Sequence, residues 1–268
     1  MTPPDNETWD EADVLGVRVS AIGLEKAVEL ALRSIQVEKS GYICVSGVHG
    51  VMEAQADASF RSILNGAFLN LPDGMPMTWV GRFQGCKEMD RVFGPDFMKA
   101  LCQASVGTEY RHFLYGGEPG VAEELKLSLE RLAPGLQVVG TYTPFFRPLK
   151  REEEEALFTL VREKDPHIVW VGLSTPKQER FMAQYSARMP GVLVIGVGAA
   201  FDYHTGRIHD APHWIKRAGM QWLLRLLQDP RRLWRRYFRN NPAFLWKISL
   251  QMLRAGHTAR PRRASTIL

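Results

Sequence analysis

An aspartate in a tight turn is the first candidate for chemistry. Asp73 lies between Pro72 and Gly74, directly after the mostly apolar residues 68–71. Proline and glycine favour a turn that can present the carboxylate to a cleft. A carboxylate in such a place can take a proton from a hydroxyl group as a general base. An Asp-Gly pair is also typical of a plain turn, so both interpretations stay open at this point.

Two further segments have the composition of phosphate- or sugar-binding loops. Gly116 and Gly117 open a glycine-containing loop before a predicted helix, whose backbone amides can hold a diphosphate. The spacing is not that of a dinucleotide-binding loop, which argues against an NAD-dependent oxidoreductase. Lys177 and Gln178 follow a helix-starting proline and can offer a cation and an amide to a phosphate or a sugar. A strand-to-helix turn and a capped surface helix are the structural alternatives.

Arg91 is a candidate for binding an anionic leaving group. Its guanidinium can hold a diphosphate through two hydrogen bonds, and an ion pair with Asp90 or Asp96 is the structural alternative. No Asp-x-Asp motif has a suitable position, and the histidines lack zinc-ligand spacing. We therefore expect neither a metal nor a cofactor, so that cationic side chains and helix dipoles would stabilise the leaving group.

Apolar segments alternate with amphipathic ones along the chain. Strands are predicted at 41–48, 68–71, 111–115, 136–140, 167–172 and 192–197, and helices at 51–66, 94–104, 120–132, about 150–164 and from Pro176 onward. This order predicts an α/β fold with a mainly parallel sheet and helices on both faces. Ligands bind such sheets at the carboxyl ends of the strands. The loops at 46–49, 72–74, 116–120 and 174–178 would then face one shared cleft.

The C-terminal part of the chain differs from the rest in charge. From Arg207 to the end there are 14 Lys or Arg residues and two acidic ones, a net charge of +12 against −7 for the preceding residues. This asymmetry predicts a separate surface-binding element. We expect a catalytic domain over 1–206, a basic amphipathic appendage over 207–256 and a flexible basic tail over 257–268.

The sequence of the appendage predicts helices that bind a surface. A helix is predicted over 214–227, a second one begins at Asp229-Pro230 with arginines alternating with aromatic residues, and an apolar segment covers 244–253. An anionic membrane surface attracts such helices. Nucleic acid and a packed helix pair with solvated arginines are the alternatives. The apolar residues are too many and too bulky for a phosphate-tracking groove, so we favour the membrane and expect no nucleic acid.

The remaining composition bounds the class of protein. A chain of 268 residues with 45% hydrophobic and 24% charged residues can form one α/β domain with an appendage. Three cysteines without metal spacing are typical of a reducing cytoplasm. Neither a signal peptide nor an apolar run long enough to span a bilayer is visible. The expected location is therefore the cytoplasm, peripherally on the inner face of the cytoplasmic membrane.

Eight ordered motifs between about residue 14 and residue 246 together resemble the WecG/TagA/CpsF glycosyltransferases, glycosyltransferase family 26. They are Leu71-Pro72-Asp73-Gly74-Met75-Pro76, Arg91-Val92-Phe93-Gly94-Pro95-Asp96, Phe113-Leu114-Tyr115-Gly116-Gly117, Pro176-Lys177-Gln178-Glu179, Gly196-Val197-Gly198-Ala199-Ala200-Phe201-Asp202, Ala211-Pro212-His213-Trp214, Trp222-Leu223-Leu224-Arg225-Leu226 and Pro230-Arg231-Arg232-Leu233. Eight matches in order are far more specific than any one of them.

The resemblance implies a Rossmann-like, metal-independent transferase that moves a sugar from a UDP-sugar to a polyprenyl-diphosphate-linked sugar with inversion, in bacterial surface-polysaccharide synthesis. It implies that Asp73 is the base and that Arg91 and Gln178 belong to the site. The appendage would dock on the membrane and close over the site with its arginines. The candidates are Arg225, Arg232, Arg235 and Arg236. A homo-oligomer is left open.

The sequence departs from the family pattern in three places. Many members have Thr-x-Asn where this chain has Ser46-Gly47-Val48-His49, so Ser46 and His49 are candidates for contacting the donor sugar or nucleotide. The usual Arg-Ala-Pro is Asp210-Ala211-Pro212, and a common Glu-Trp is Gln221-Trp222. The segments 48–51 and 142–147 look closer to exopolysaccharide members that transfer glucose, with N-acetylmannosamine as the competing donor. A non-enzymatic binding module with a basic tail remains the alternative class.

Overall fold

The computed structural model describes residues 6–145, 147–255 and 262–267 of the chain. In chain order the strands are β1 Asn6–Val14, β2 Val17–Ser20, β3 Gly41–Ser46, β4 Leu69–Pro72, β5 Arg111–Gly116, β6 Gln137–Tyr142, β7 Ile168–Gly172, β8 Leu193–Gly196 and β9 Arg262–Ile267. The helices are α1 Leu24–Gln36, α2 Val48–Ala56, α3 Ala58–Asn65, α4 Met75–Phe83, α5 Gly94–Ala104, α6 Val121–Leu132, α7 Arg151–Lys164, α8 Lys177–Tyr185, α9 Ala200–His204, α10 His213–Arg217, α11 Gln221–Gln228 and α12 Pro230–Ala255.

A six-stranded sheet forms the centre of the molecule. Its strand order is β4-β3-β8-β7-β5-β6, and every neighbouring pair is parallel. The chain moves towards β4 after β3 and towards β6 after β5, so the direction reverses within the sheet. Ligands bind at such a reversal, at the carboxyl ends of the strands. The prediction of a Rossmann-like α/β fold is confirmed.

Two apolar layers cover the sheet, one on each face. One layer packs α1, α5, α6 and α9 on it, around buried Trp170, Phe97 and Phe201. The other packs α2, α3, α7 and α8 on it, around buried Phe60 and Phe113. Phe244 and Ile248 of α12 belong to this second layer, so the basic helix also contributes to the core.

A second, three-stranded sheet joins the two ends of the chain. Its order is β2-β1-β9, and both pairs are antiparallel. The sequence predicts a flexible basic tail over 257–268, but Arg262–Ile267 form β9; residues 257–261 and 268 lie outside the described part. The acidic β1 explains the difference, because Arg263 lies opposite Asp10 and Arg262 opposite Glu11.

Two predicted helices are broken in the structure, and two predicted segments are joined. The helix predicted over 51–66 is α2 and α3, because the carboxylate of Asp57 accepts the Phe60 N–H at 3.0 Å and starts a new helix. The helix predicted over 214–227 is α10 and α11, separated at Gly219, which has a φ of 70°. The helix predicted to begin at Asp229-Pro230 and the apolar segment 244–253 form the single helix α12, which contains Pro242.

Candidate active site

Asp73 lies where the ends of β3 and β4 meet. Its backbone N–H donates to the Ser46 carbonyl at 2.9 Å, which extends the pairing of the two strands by one residue. The Pro72 carbonyl accepts the Val92 N–H at 2.9 Å, so the loop that carries Arg91 is tied to the same turn. Gly47 permits this approach, because a Cβ atom there would lie 2.9 Å from the Asp73 carbonyl oxygen.

The carboxyl group of Asp73 is held in an unusual electrostatic environment. It is half-buried, and burial raises its pKa from 3.8 to about 6. The charge of Asp96 raises the pKa further, whereas the guanidinium groups of Arg91 and Arg236 lower it. At neutral pH the carboxylate is therefore ionised while being a stronger base than an exposed aspartate.

Arg91 joins the core of the site to the C-terminal appendage. Its guanidinium carbon lies 4.5 Å from the centre of the Phe93 ring, and the group donates a hydrogen bond to the side-chain oxygen of Gln221 in α11. The Gln221 amide nitrogen lies 3.4 Å from the hydroxyl oxygen of Tyr203. Gln221, the first residue of α11, thereby fixes Arg91.

His49 and Arg236 form the other side of the site. The Nδ1 atom of His49, in the first turn of α2, lies 3.0 Å from the side-chain nitrogen of Asn240 in α12. Burial, and then the charge of Arg236, lower the His49 pKa to about 4, so the imidazole is neutral. Arg236 therefore acts on both His49 and Asp73. Its Nε atom is buried and has no hydrogen-bond partner within the described residues.

Two of the other predicted arginines lie beside a different carboxylate. Asp202, in α9 after β8, is half-buried; burial raises its pKa, and Arg232, Arg225 and Arg207 lower it. Arg225 also lies 5.3 Å from the centre of the Tyr203 ring, and Arg232 pairs with Asp229 at 2.6 Å. Together they form a second cationic group at Asp202, whose pKa is also raised by the charge of Glu118 in the loop after β5.

Arg235 is placed differently from the other candidates. It is exposed, and its guanidinium carbon lies 5.4 Å from the centre of the Trp234 ring. Trp234 is itself 48% exposed. The structure therefore places Arg235 with the outward aromatic residues of α12 rather than at Asp73.

Gly116 and Gly117 have clear packing roles. A Cβ atom at Gly116 would lie 2.6 Å from the Gly172 carbonyl oxygen, and the Gly117 N–H donates to that oxygen at 3.0 Å. Both residues have positive φ angles, 123° and 78°, which favour glycine. The close contact with β7 accounts for these glycines, and their role in binding a diphosphate stays a prediction.

Gln178 and its neighbours hold the loop after β8. The buried side chain of Gln178 accepts the Gly198 N–H at 2.9 Å and donates to the buried Glu179 carboxylate at 3.0 Å. Lys177 is exposed, and the Ser46 hydroxyl is buried with no partner within the described residues. Gln178 thus fixes the backbone that leads to Asp202, whereas direct contact of these three side chains with a substrate stays a prediction.

The structure brings Asp73, Arg91, His49 and Arg236 to one edge of the sheet and adds residues that the sequence analysis missed. These are Gln221, Tyr203 and Asn240. A signal for Asn240 is present in the sequence, because a lone polar residue interrupts the apolar spacing of Leu233, Phe244 and Ile248. Gln221 is noted in the sequence only as a departure from the family pattern, and Tyr203 carries no comparable signal, since their contacts join separate elements.

Three general features complete the description of the site. Among the described residues, no group of three His, Cys, Asp or Glu side chains is arranged to hold a metal ion. Within the same part of the chain, every helix is too short or too polar to cross a membrane. The three cysteines are buried and free.

Comparison with known protein families gives a match over nearly the whole chain. Residues 12–258 match the model of the glycosyl transferase family WecG/TagA/CpsF. The matched range includes every side chain that the structure brings to Asp73.

Proposed function

Because this chain belongs to the WecG/TagA/CpsF family and is therefore a glycosyltransferase, we propose that it is an inverting, metal-independent UDP-sugar transferase. The acceptor in this proposal is a sugar linked to a polyprenyl diphosphate, used in bacterial surface-polysaccharide synthesis. The observation that carries the proposal is the half-buried carboxylate of Asp73 at the carboxyl edge of a parallel sheet, where the guanidinium groups of Arg91 and Arg236 both lower its pKa.

Asp73 is the base of the proposed reaction. Its carboxylate takes the proton from an acceptor hydroxyl as that oxygen attacks the anomeric carbon. The bond from the anomeric carbon to the donor's phosphate oxygen breaks on the opposite side, and UDP leaves with the electron pair. A single displacement of this kind inverts the anomeric centre. Burial supports the role, because it makes the carboxylate more basic without preventing its ionisation at neutral pH.

Cationic side chains offset the charge on the leaving UDP. Arg91 and Arg236 lie close enough to Asp73 to lower its pKa, so a diphosphate between them would meet two positive charges near the reacting carbon. The buried Nε of Arg236 would gain a partner from such an anion. Arg225 and Arg232, beside Asp202, are candidates for the more distant phosphate or for the acceptor's diphosphate.

The outward face of α12 supports docking on an anionic membrane. Trp234, Phe238, Leu245, Trp246 and Leu253 are 48% to 80% exposed on this helix. At 3.6 residues per turn they share a face with the exposed Arg231, Arg235 and Arg239. Aromatic and basic residues on one face favour the interface of an anionic bilayer. The protein would thus act peripherally on the inner face of the cytoplasmic membrane.

The first experiment is UDP release with a panel of donors that includes UDP-glucose and UDP-N-acetylmannosamine. A short-chain lipid diphosphate sugar serves as acceptor, and each reaction is run with and without EDTA. We expect release that needs the acceptor, is confined to one donor and is unaffected by EDTA. No release with any donor, from folded protein bound to vesicles, would contradict the proposal. Loss of release with EDTA would contradict the metal-independent step alone.

A further inference from the structure

A buried amide interrupts the apolar side of α12. Asn240 is 8% exposed and lies on the same face as Leu233, Phe244 and Ile248, which are all buried. A buried amide without a hydrogen bond destabilises a protein, because the loss of its contacts with water is not compensated. An asparagine at this position therefore requires a specific partner, and the structure provides one.

The partner is the neutral imidazole of His49. The side-chain nitrogen of Asn240 lies 3.0 Å from His49 Nδ1, and because an amide nitrogen only donates, Nδ1 accepts. The imidazole hydrogen then lies on Nε2, in agreement with a hydrogen bond between His49 and the Thr175 backbone. His49 thus links α12 to α2 and to the loop after β7.

The charged groups around the imidazole come from both helices. Glu53 of α2 has a carboxylate oxygen 3.6 Å from His49 Nδ1, and Arg236 of α12 lowers the His49 pKa. Arg236 precedes Asn240 by four residues, so the two lie one turn apart on the same side of α12. A shift of α12 at Asn240 therefore also shifts the backbone that carries Arg236.

Apolar packing alone does not fix α12 at this point. A cleft of about 330 Å³ lies between α2 and α12, and Glu53, Asn240 and Ala243 line it. The buried Phe244 and Ile248 lie on the far side of Asn240 from Arg236. The buried Leu233 precedes Arg236 by three residues. The hydrogen bond to His49 is a direct polar contact between α12 and α2, four residues after Arg236.

We propose that Asn240 is a positioning residue, whose hydrogen bond to His49 seats the Arg236 guanidinium beside Asp73. The catalytic readout of this proposal rests on the proposed function, in which Arg236 offsets charge on the leaving group. A misplaced catalytic group costs on the order of 10–100-fold in turnover. Asn240 touches neither the substrate nor Asp73 and acts through Arg236.

A double-mutant cycle tests the coupling between the two residues. Turnover is measured for the full chain, for Asn240→Ala, for Arg236→Ala and for the double variant. We expect kcat to fall in each single variant. The double variant should match Arg236→Ala, because Asn240 acts only through the Arg236 guanidinium and its loss has no further effect once that group is absent. Asn241→Ala, the same change one position along α12, should leave kcat unchanged. Multiplicative losses in the double variant would overturn the proposal.

A second measurement needs no turnover. The His49 imidazole is followed by NMR from pH 4 to pH 8 in the full chain and in Asn240→Asp. We expect His49 to stay neutral above about pH 5 in the original protein and to titrate at higher pH in the variant, since a carboxylate favours the imidazolium. The same titration in both proteins would show that Asn240 does not contact His49, and would overturn the proposal even if the chain transferred no sugar. An inactive full chain with the expected titration would instead contradict the proposed function alone.

Discussion

At the scale of the residue, Asp73 combines the burial and the charges that a base needs. Its pKa of about 6 predicts that kcat/KM falls about tenfold per pH unit below pH 6, because only the carboxylate can accept the proton. Arg91 and Arg236 lower this pKa, so Arg91→Gln and Arg236→Gln should each move the acid limb to higher pH. The measurement is UDP release between pH 4.5 and 8.5. An acid limb in the same place in all three proteins would contradict the assignment of the limb to Asp73.

The same carboxylate makes the folded protein less stable at neutral pH. The folded state holds the Asp73 proton more tightly than the unfolded chain, so the stability present below about pH 4 is lost as the pH rises to about 6. Asp73→Asn should therefore raise the free energy of unfolding at pH 7.5 by about 2–3 kcal/mol, by less at pH 5, while abolishing turnover. Urea unfolding at the two pH values measures the effect.

The exposed Glu163 of α7 provides the matched control for Asp73→Asn. Glu163→Gln makes the same chemical change on the surface and should leave the free energy of unfolding within about 0.5 kcal/mol. If Asp73→Asn and Glu163→Gln had the same effect at both pH values, burial of the Asp73 charge would not be the cause.

At the scale of the element, α12 has two faces with separate tasks, and two phenylalanines distinguish them. Phe244 is 2% exposed and packs against the second apolar layer, whereas Phe238 is 70% exposed. Phe244→Ala should cost about 3–5 kcal/mol of packing energy and speed hydrogen exchange along α12, with loss of turnover. Phe238→Ala should leave stability unchanged and weaken binding to anionic vesicles. Faster exchange of α12 in Phe238→Ala, or undisturbed exchange in Phe244→Ala, would contradict this division.

The elements show what local sequence can predict. The six strands of the central sheet follow from continuous apolar runs, and their positions are confirmed within a few residues. The breaks at Asp57 and Gly219 depend on one hydrogen bond and one positive φ angle, which periodicity does not detect. The pairing of β1 with β9 joins residues more than 240 positions apart, so no local pattern predicts it.

The residues of the site also differ in how far local sequence predicts their roles. Asp73 and Arg91 stand in recognisable turns, and their proximity to each other follows from the order of the strands. Which appendage arginine acts on Asp73 depends on the rotation of α12, which the contact of Asn240 with His49 fixes. The sequence left Arg225, Arg232, Arg235 and Arg236 as candidates, and only the packed structure separates Arg236 from the others.

At the scale of the whole molecule, the charge asymmetry is concentrated on the appendage helices. The β9 arginines lie opposite acidic residues of β1, so that part of the positive charge is already matched within the fold. Other arginines lie on α10–α12, together with exposed tryptophans such as Trp214, Trp222 and Trp246. A surface that is both basic and aromatic should need lipid of negative charge as well as an apolar interior.

Vesicle flotation of the full chain tests this expectation against nucleic-acid binding. We expect the protein to float with phosphatidylglycerol vesicles and not with phosphatidylcholine, since each basic residue near an anionic surface contributes about 1 kcal/mol. Vesicle binding should weaken but persist at about 0.5 M NaCl, because salt screens the attraction between the basic residues and the anionic lipid and leaves the contacts of the aromatic residues. The double variant Trp234→Ala/Trp246→Ala should lose the vesicle binding that persists at high salt and keep the vesicle binding that salt removes. Salt-sensitive binding to a random DNA duplex with no vesicle association would instead identify a nucleic-acid surface, since phosphate contacts alone are lost in salt.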